Sequence, residues 1–285
     1  MIEMRGKAVS DRIKEDIAES LDAVIKALGR KPRLEIIRVG TNEADASYGR
    51  SAIKKAEAFG MSAGLTSFPS DISYESFEEH IKKKSRDEDV DGILVLRPLP
   101  PELLEAAERG LSPDKDLDGM TDINMSRLFQ GQEGGFAPCT AMAVMRLLDF
   151  YGADTHGKHV VIIGRSPVVG KPLAMLMLSR DATVTVCHSK TGEDILREQL
   201  SSADIICTAV GKAEFLGPEY IKEGAVIVDC GINVSEEGKL CGDVDYEAVK
   251  EKCLMISPVP GGLGAVTTAV LCENLFKAAR IKAGK

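Results

Sequence analysis

Apolar residues recur along this chain in two alternating rhythms, helical and extended, and the alternation predicts an α/β protein. Ile13, Ile17, Leu21, Val24 and Leu28 share one helical face, with Ser10 as the expected N-cap and Gly29 as the stop. Residues 34–39 read as a strand. Helices are expected over 48–59, closed by Gly60, and over the charged amphipathic stretch 73–85. Residues 90–96 form a second strand ending in Arg97-Pro98-Leu99-Pro100, and 102–109 a short helix. The stretch 110–139 is rich in Gly, Pro and Asp and reads as an inter-domain passage. A helix over 140–151 leads out of it. Further strands are expected at 205–209, 225–229 and near 254–256. An amphipathic helix over 267–280 comes after the second domain is complete, so it can pack back on the first.

The segment 158–191 is the most informative. Residues 160–163 are a short β-branched run, as a strand buried on both faces should be. Gly164 and Gly170 bracket a turn, 173–178 continues as an apolar helix, and 182–186 is a second strand. This is a βαβ crossover with its glycine turn where a helix N-terminus holds a phosphate. The spacing G-x-x-x-x-x-G meets the dinucleotide fingerprint only in part.

Charge sharpens the picture. The segment carries Lys158, Arg165, Lys171, Arg180 and Lys190 against Asp181, whereas the whole chain has a net charge of -8. Such a local excess favours a small anionic ligand over nucleic acid. An NAD site usually puts an acid on the ribose hydroxyl at the end of the second strand. Here that strand runs into His188-Ser189-Lys190, with no acid. Arg165 and Ser189 suit a 2′-phosphate instead, so NADP is the expected cofactor.

Composition bounds the rest. At 285 residues, with 44% hydrophobic and 28% charged side chains, the chain is ordinary for a globular protein of two modest domains. No apolar run is long enough for a membrane span, and Met1-Ile2-Glu3-Met4-Arg5 lacks the apolar region of a signal peptide. The seven cysteines are scattered without C-x-x-C or ligand spacing, and Cys207, Cys230 and Cys272 are expected to be buried. That pattern points to the cytoplasm and away from structural zinc. No basic patch suggests a nucleic-acid partner, and His80, His156, His159 and His188 do not cluster.

Six segments together go beyond generic α/β: DLDG (116–119), PCT (138–140), GRSPVVGKP (164–172), VDCGIN (228–233), CGDV (241–244) and SPVPGGLG (257–264). In this order, over nearly its full length, the chain resembles the methylenetetrahydrofolate dehydrogenase/methenyltetrahydrofolate cyclohydrolase family of one-carbon metabolism. The resemblance implies an N-terminal α/β folate-side domain over 1–120 together with the C-terminal helix 267–285. It implies a Rossmann-like NADP-binding domain over 121–266, with tetrahydrofolate derivatives bound in a cleft between the two. A cytoplasmic homodimer serving purine biosynthesis is implied as well. Gly164, Arg165, Ser166, Ser189 and Ile232 match the family's cofactor positions. Asp118 matches the carboxylate that grips the pterin, where an ionised Asp accepts two hydrogen bonds. Tyr48 matches the aromatic that stacks on the folate ring system. Pro258, Val259, Pro260, Gly261 and Gly262 match the loop that approaches the substrate.

Two departures matter. The family carries Tyr-x-x-x-Lys on its second helix, and the lysine position here is Ala52. Lys54 is about 120° around the helix from Tyr48, and Lys55 lies on the Tyr48 side but nearly two turns on. The family also has Val-Gln-Leu-Pro-Leu-Pro after its third strand, where this chain has Val95-Leu96-Arg97-Pro98-Leu99-Pro100, so the glutamine is Leu96. Smaller departures are Ala141, Ala265 and Val266. Hydride transfer from methylene-tetrahydrofolate needs positioning above all. Hydrolysis of the methenyl product needs proton transfer, which the lysine would supply. The expectation is a dehydrogenase with weak or absent cyclohydrolase activity. The alternatives are a bifunctional enzyme in which Lys55 or Arg97 substitutes, an NADP oxidoreductase with an altered substrate, and a folate- or nucleotide-binding regulatory protein without turnover. Arg97 follows Leu96 on a strand, so the proline turn would have to redirect it.

Overall fold

Burial follows the apolar pattern, and a separate core forms in each of two units. The computed structural model describes residues 1–235 and 237–284. Its elements run β1 (Ile2–Glu3), α1 (Gly6–Leu28), β2 (Arg33–Val39), α2 (Glu43–Ala58), β3 (Ser62–Phe68), α3 (Tyr74–Arg86), β4 (Gly92–Val95), α4 (Pro101–Gly110), α5 (Asp122–Phe129) and α6 (Cys139–Tyr151). They continue through β5 (His159–Ile163), α7 (Gly170–Leu178), β6 (Thr183–Cys187), α8 (Glu193–Ser202), β7 (Ile205–Thr208) and β8 (Ala225–Asp229). The chain ends with β9 (Asn233–Val234), β10 (Leu240–Cys241), α9 (Tyr246–Val249), β11 (Cys253–Ile256) and α10 (Leu263–Lys282). Among the described residues no helix is long and apolar enough to cross a membrane.

One unit comprises Arg12–Cys139 and the chain from Thr268 onward. Its sheet is parallel, in the order β3-β2-β4. Ile37, Ile93 and Val95 of the sheet meet Phe77 and Ile81 of α3 and Leu103 of α4 in its core. Ser73 caps α3, its hydroxyl accepting from the Ser76 N–H at 3.2 Å.

The other unit comprises Met1–Asp11 and Thr140–Thr267. Its six strands are all parallel, in the order β1-β11-β8-β7-β5-β6. β6 lies on one side of β5 and β7 on the other, so the strand order reverses at β5. The crevice outside the carboxyl end of such a strand is where α/β sheets bind ligands. Val161, Ile163, Ile206 and Ile227 pack with Leu196 and Leu200 of α8 beneath the sheet.

Several elements differ from expectation. Ser10 is no N-cap: α1 starts at Gly6, whose N–H donates to the Gly261 carbonyl at 2.9 Å, and Ser10 is buried inside the helix. α2 begins five residues before Tyr48. β3 was not expected; Gly64 and three small hydroxyl residues break its apolar pattern, yet it pairs with β2 along its full length. Residues 1–11, expected with the first domain, go with the second because Ile2 and Glu3 pair with Met255 and Ile256. Contacts divide the chain at Cys139 and Thr140, whereas the motifs suggested 120. Lys285, the last residue of the helix expected over 267–285, lies outside the described residues. Cys207 and Cys272 are buried, but Cys230 is only partly so.

The division falls where it does because of Asp116. Its carboxylate is 1% exposed and accepts from Met120 N–H at 3.0 Å and Thr121 N–H at 2.9 Å. It also accepts from the Thr121 hydroxyl at 2.8 Å and from Asn124 Nδ2 at 2.9 Å. These bonds bind the start of α5 to the DLDG loop, in a stretch expected to be a linker. Asp116→Ala leaves those donors unsatisfied, each at about 1–3 kcal/mol. The expected result is a lower urea midpoint, with a loss of about 3 kcal/mol or more. An unchanged midpoint would show that the network is dispensable.

Candidate active site

In the unit Arg12–Cys139, the DLDG loop and the end of β4 build one face of a site. Gly119 turns the loop with φ +59, and a Cβ there would stand 2.4 Å from the Phe136 carbonyl oxygen, so only glycine fits. The Leu117 carbonyl accepts from Asn274 Nδ2 at 2.9 Å and from the Cys139 thiol at 3.3 Å. Held on both sides, the loop presents Asp118. One carboxylate oxygen accepts from the Cys139 N–H at 2.8 Å, and the other is paired with the Arg97 guanidinium. Both side chains are 17% exposed, so Asp118 is no solvated loop acid.

Arg97 is the residue whose placement the sequence left open. The ladder continues one residue past β4, with Leu96 N–H donating to the Ile37 carbonyl at 2.9 Å. Leu96 then turns into the core and Arg97 turns to Asp118. Leu96 comes within 3.7 Å of the place a Cβ would occupy on Gly49 of α2. Ala52, one turn further along α2, is 0% exposed, and Leu96 is 6% exposed. The two expected proton-handling positions are therefore apolar and buried.

Tyr48 is half-buried on the same helix. Burial pushes its phenol well above the ordinary value, and the charge of Asp118 adds to this while Arg97 opposes it. The hydroxyl is thus a donor throughout the neutral range. The Cys139 thiol is also pushed well up, first by burial and then by Asp118, so it is inert as a nucleophile. Lys54 is exposed. The Lys55 ammonium sits 5.7 Å from the Phe59 ring centroid, and its charge also reaches Cys272. Sequence reasoning missed Cys139 and Asn274 as supports of the loop; only the PCT match hinted at the first.

The other unit holds the remaining expected residues. Gly164 follows β5 with φ +136, and a Cβ there would lie 2.5 Å from the Ala209 carbonyl oxygen. A Cβ on Gly170 would lie 2.0 Å from the Gly164 carbonyl oxygen. The turn is thus compact, and it leads directly into the N-terminus of α7. Ser166 shapes it, its hydroxyl accepting from the Val169 N–H at 3.1 Å. Ile163 and Cys187 are register partners, so Arg165 and Ser189 each stand two residues past the ends of neighbouring strands. Both are exposed, and no acid accompanies them. The donor set and the compact turn fit a phosphorylated dinucleotide.

Ile232 is 72% exposed on a loop framed by two buried acids. Asp229 accepts from the Thr208 hydroxyl at 3.0 Å and from the N–H groups of Gly231 and Val244 at 2.8 and 2.9 Å. Asp243 accepts from Val210 and Lys212 N–H at 2.6 and 3.0 Å and from Asn233 Nδ2 at 2.9 Å. Burial raises the Asp229 carboxyl, and the backbone donors oppose the rise. Pro258–Gly262 belongs to this unit too, where Gly261 meets the start of α1; Tyr48 and Asp118 belong to the other.

Comparison with known proteins gives a consistent result. Residues 4–118 match the tetrahydrofolate dehydrogenase/cyclohydrolase catalytic domain, and residues 138–283 match the NAD(P)-binding domain of the same name. The bifunctional protein FolD of Clostridium kluyveri is 44% identical over 280 residues, 98% of each chain. A crystal structure of the bifunctional FolD methylenetetrahydrofolate dehydrogenase/cyclohydrolase from Campylobacter jejuni is 40% identical, with a TM-score of 0.93 and 99% of each chain covered. The Trypanosoma brucei methylenetetrahydrofolate dehydrogenase-cyclohydrolase, solved with NADP cofactor and inhibitor, is 31% identical with a TM-score of 0.93, covering 99% of this chain and 98% of that one.

The geometry assigns Arg165 a measurable task. Arg165→Ala should lower the preference for NADP+ over NAD+ by about 10- to 100-fold, the range of one charge-assisted contact. Steady-state kinetics with both dinucleotides check this, and an unchanged ratio would remove Arg165 from the 2′-phosphate site.

Proposed function

The chain belongs to the tetrahydrofolate dehydrogenase/cyclohydrolase family and is on that footing an NADP-dependent methylene-tetrahydrofolate dehydrogenase, and we propose that its cyclohydrolase activity is weak or lost. The observation that carries the proposal is the burial of Ala52 and Leu96 against apolar neighbours where the family pattern has Lys and Gln. Bound NADP+ supplies the hydride acceptor. The chain's own residues then have to hold the folate so that its bridging carbon faces that acceptor. Lone pairs on the two flanking nitrogens expel the hydride, so no side chain need move a proton.

Hydrolysis of the methenyl product differs. Water must lose a proton and a ring nitrogen must gain one, and a positioned acid/base supplies about 10²–10⁴ in rate. Tyr48, with its raised pKa, is no base at neutral pH. An arginine side chain donates five N–H bonds and accepts none, so Arg97 cannot take the proton from water. These placements support the reading of the two substitutions as a loss without replacement.

On the same reading, Asp118 holds the pterin edge and Tyr48 stacks on the ring system. Gly164, Arg165, Ser166, Ser189 and Ile232 serve the cofactor, and Pro258–Gly262 approaches the substrate. Arg12–Cys139 with the chain from Thr268 onward is the folate side, and Met1–Asp11 with Thr140–Thr267 the cofactor side. The same reading takes the protein to be a cytoplasmic homodimer feeding purine synthesis.

The decisive measurement is product analysis with methylene-tetrahydrofolate and NADP+, following NADPH and folate species together. NADPH should rise with methenyl-tetrahydrofolate, which then hydrolyses no faster than in buffer. Restoring both positions, as Ala52→Lys with Leu96→Gln, should accelerate formation of the formyl product by about 10²-fold or more. Enzyme-accelerated hydrolysis by the unaltered chain would overturn the proposal.

A further inference from the structure

Arg97 stands where the family pattern has an apolar leucine, beside the carboxylate that the proposed function places on the pterin. Its guanidinium meets Asp118 from the end of β4, and its charge reaches Tyr48 on α2 and Glu108 on α4. It is thus held beside Asp118 at the end of β4 rather than spread along the surface. An ionised carboxylate offers about four lone-pair sites. Asp118 uses one on each oxygen, for Arg97 and for the Cys139 N–H, so capacity remains for a ligand. Arg97 likewise keeps donors beyond the Nη2 contact it makes to Asp118.

A pterin presents three groups in a row along one edge: the 2-amino donor, the N3–H donor and the 4-oxo acceptor. A lone carboxylate complements the first two. A carboxylate with a guanidinium at its side complements all three. We propose that Arg97 donates to the 4-oxo oxygen of the pterin held by Asp118, and that it makes this site discriminate 4-oxo from 4-amino pteridines. The inference rests on the assignment of Asp118 to the pterin. A 4-amino pteridine sets N–H groups against Arg97, which has no acceptor, and its N3 carries no hydrogen for Asp118, so Arg97 accounts for the part of the preference that its substitution removes.

The test is calorimetric binding of folic acid and of aminopterin, its 4-amino counterpart, to the full chain with saturating NADP+. The unaltered protein should bind folic acid more tightly. Arg97→Leu should shrink that preference by about 10- to 100-fold, mainly by weakening folic acid, and Arg97→Lys should fall between. A purely structural role would weaken both ligands alike, so an unchanged ratio in both variants overturns the proposal, as does a wild-type protein without preference. Should Arg97→Leu fail to fold, judged by circular dichroism and the urea transition, the ratio in Arg97→Lys decides. Asp118→Asn separates the premise from the inference. Loss of folic acid binding in that variant with an unchanged ratio in the Arg97 variants sinks only the inference. Folic acid binding undiminished in Asp118→Asn overturns the pterin assignment, and the inference with it.

Discussion

A carboxylate buried without donors is among the most expensive things a fold can contain, and Asp116 is buried almost completely. The fold answers by bringing two backbone N–H groups, a hydroxyl and an amide to it. The turn they close has little freedom left. Two residues on, Asp118 emerges in a set direction, meets Arg97, and takes the Cys139 N–H on its free side. The Asp118–Arg97 pair is therefore positioned by a buried acid two residues away.

The cofactor unit uses the same device. Asp229 and Asp243 spend their oxygens on the N–H groups of the segments after β7, β8 and β10. Such loops at strand carboxyl ends must be irregular to meet a dinucleotide, yet their buried polar groups still demand partners. Side-chain carboxylates supply what a sheet ladder would otherwise give. This is why VDCGIN and CGDV read as functional motifs although their acids are structural. The exposed member, Ile232, is the one left facing outward.

Legibility in the sequence followed the strength of the local signal. β5, α7 and β6 were readable because apolar runs, glycines and charge all agreed. β3 was not, since an edge strand of Ser, Ala, Gly and Thr has no apolar alternation to see. α5 was hidden in a Gly- and Asp-rich stretch, and only the Asp116, Thr121 and Asn124 spacing marks it in retrospect. β1 is two residues long and exists only through its pairing with β11, which no local pattern encodes. Family motifs and local charge single out Tyr48, Asp118 and Arg165 as candidates. The pairing of Arg97 with Asp118 could not be named this way, because alternation along a strand sends Leu96 and Arg97 to opposite sides without saying what waits there.

Ala52 and Leu96 are best understood as one change rather than two. Ala52 shares a face of α2 with Gly49, against which Leu96 packs. A lysine alone at 52 would bring an ammonium toward that leucine, and a charge left without a polar neighbour there is strongly disfavoured. A glutamine alone at 96 would bury an amide against Leu65 and Ile36, which also flank Gly49. Each single substitution is expected to be destabilising without the other, so the two sites are coupled. Hydride transfer places no comparable demand on this face, because it needs the substrate held and not protonated. A site with apolar packing at these two positions and a guanidinium beside Asp118 meets the positioning demand of the first reaction, and under the proposed function it lacks the proton-transferring pair that the second requires.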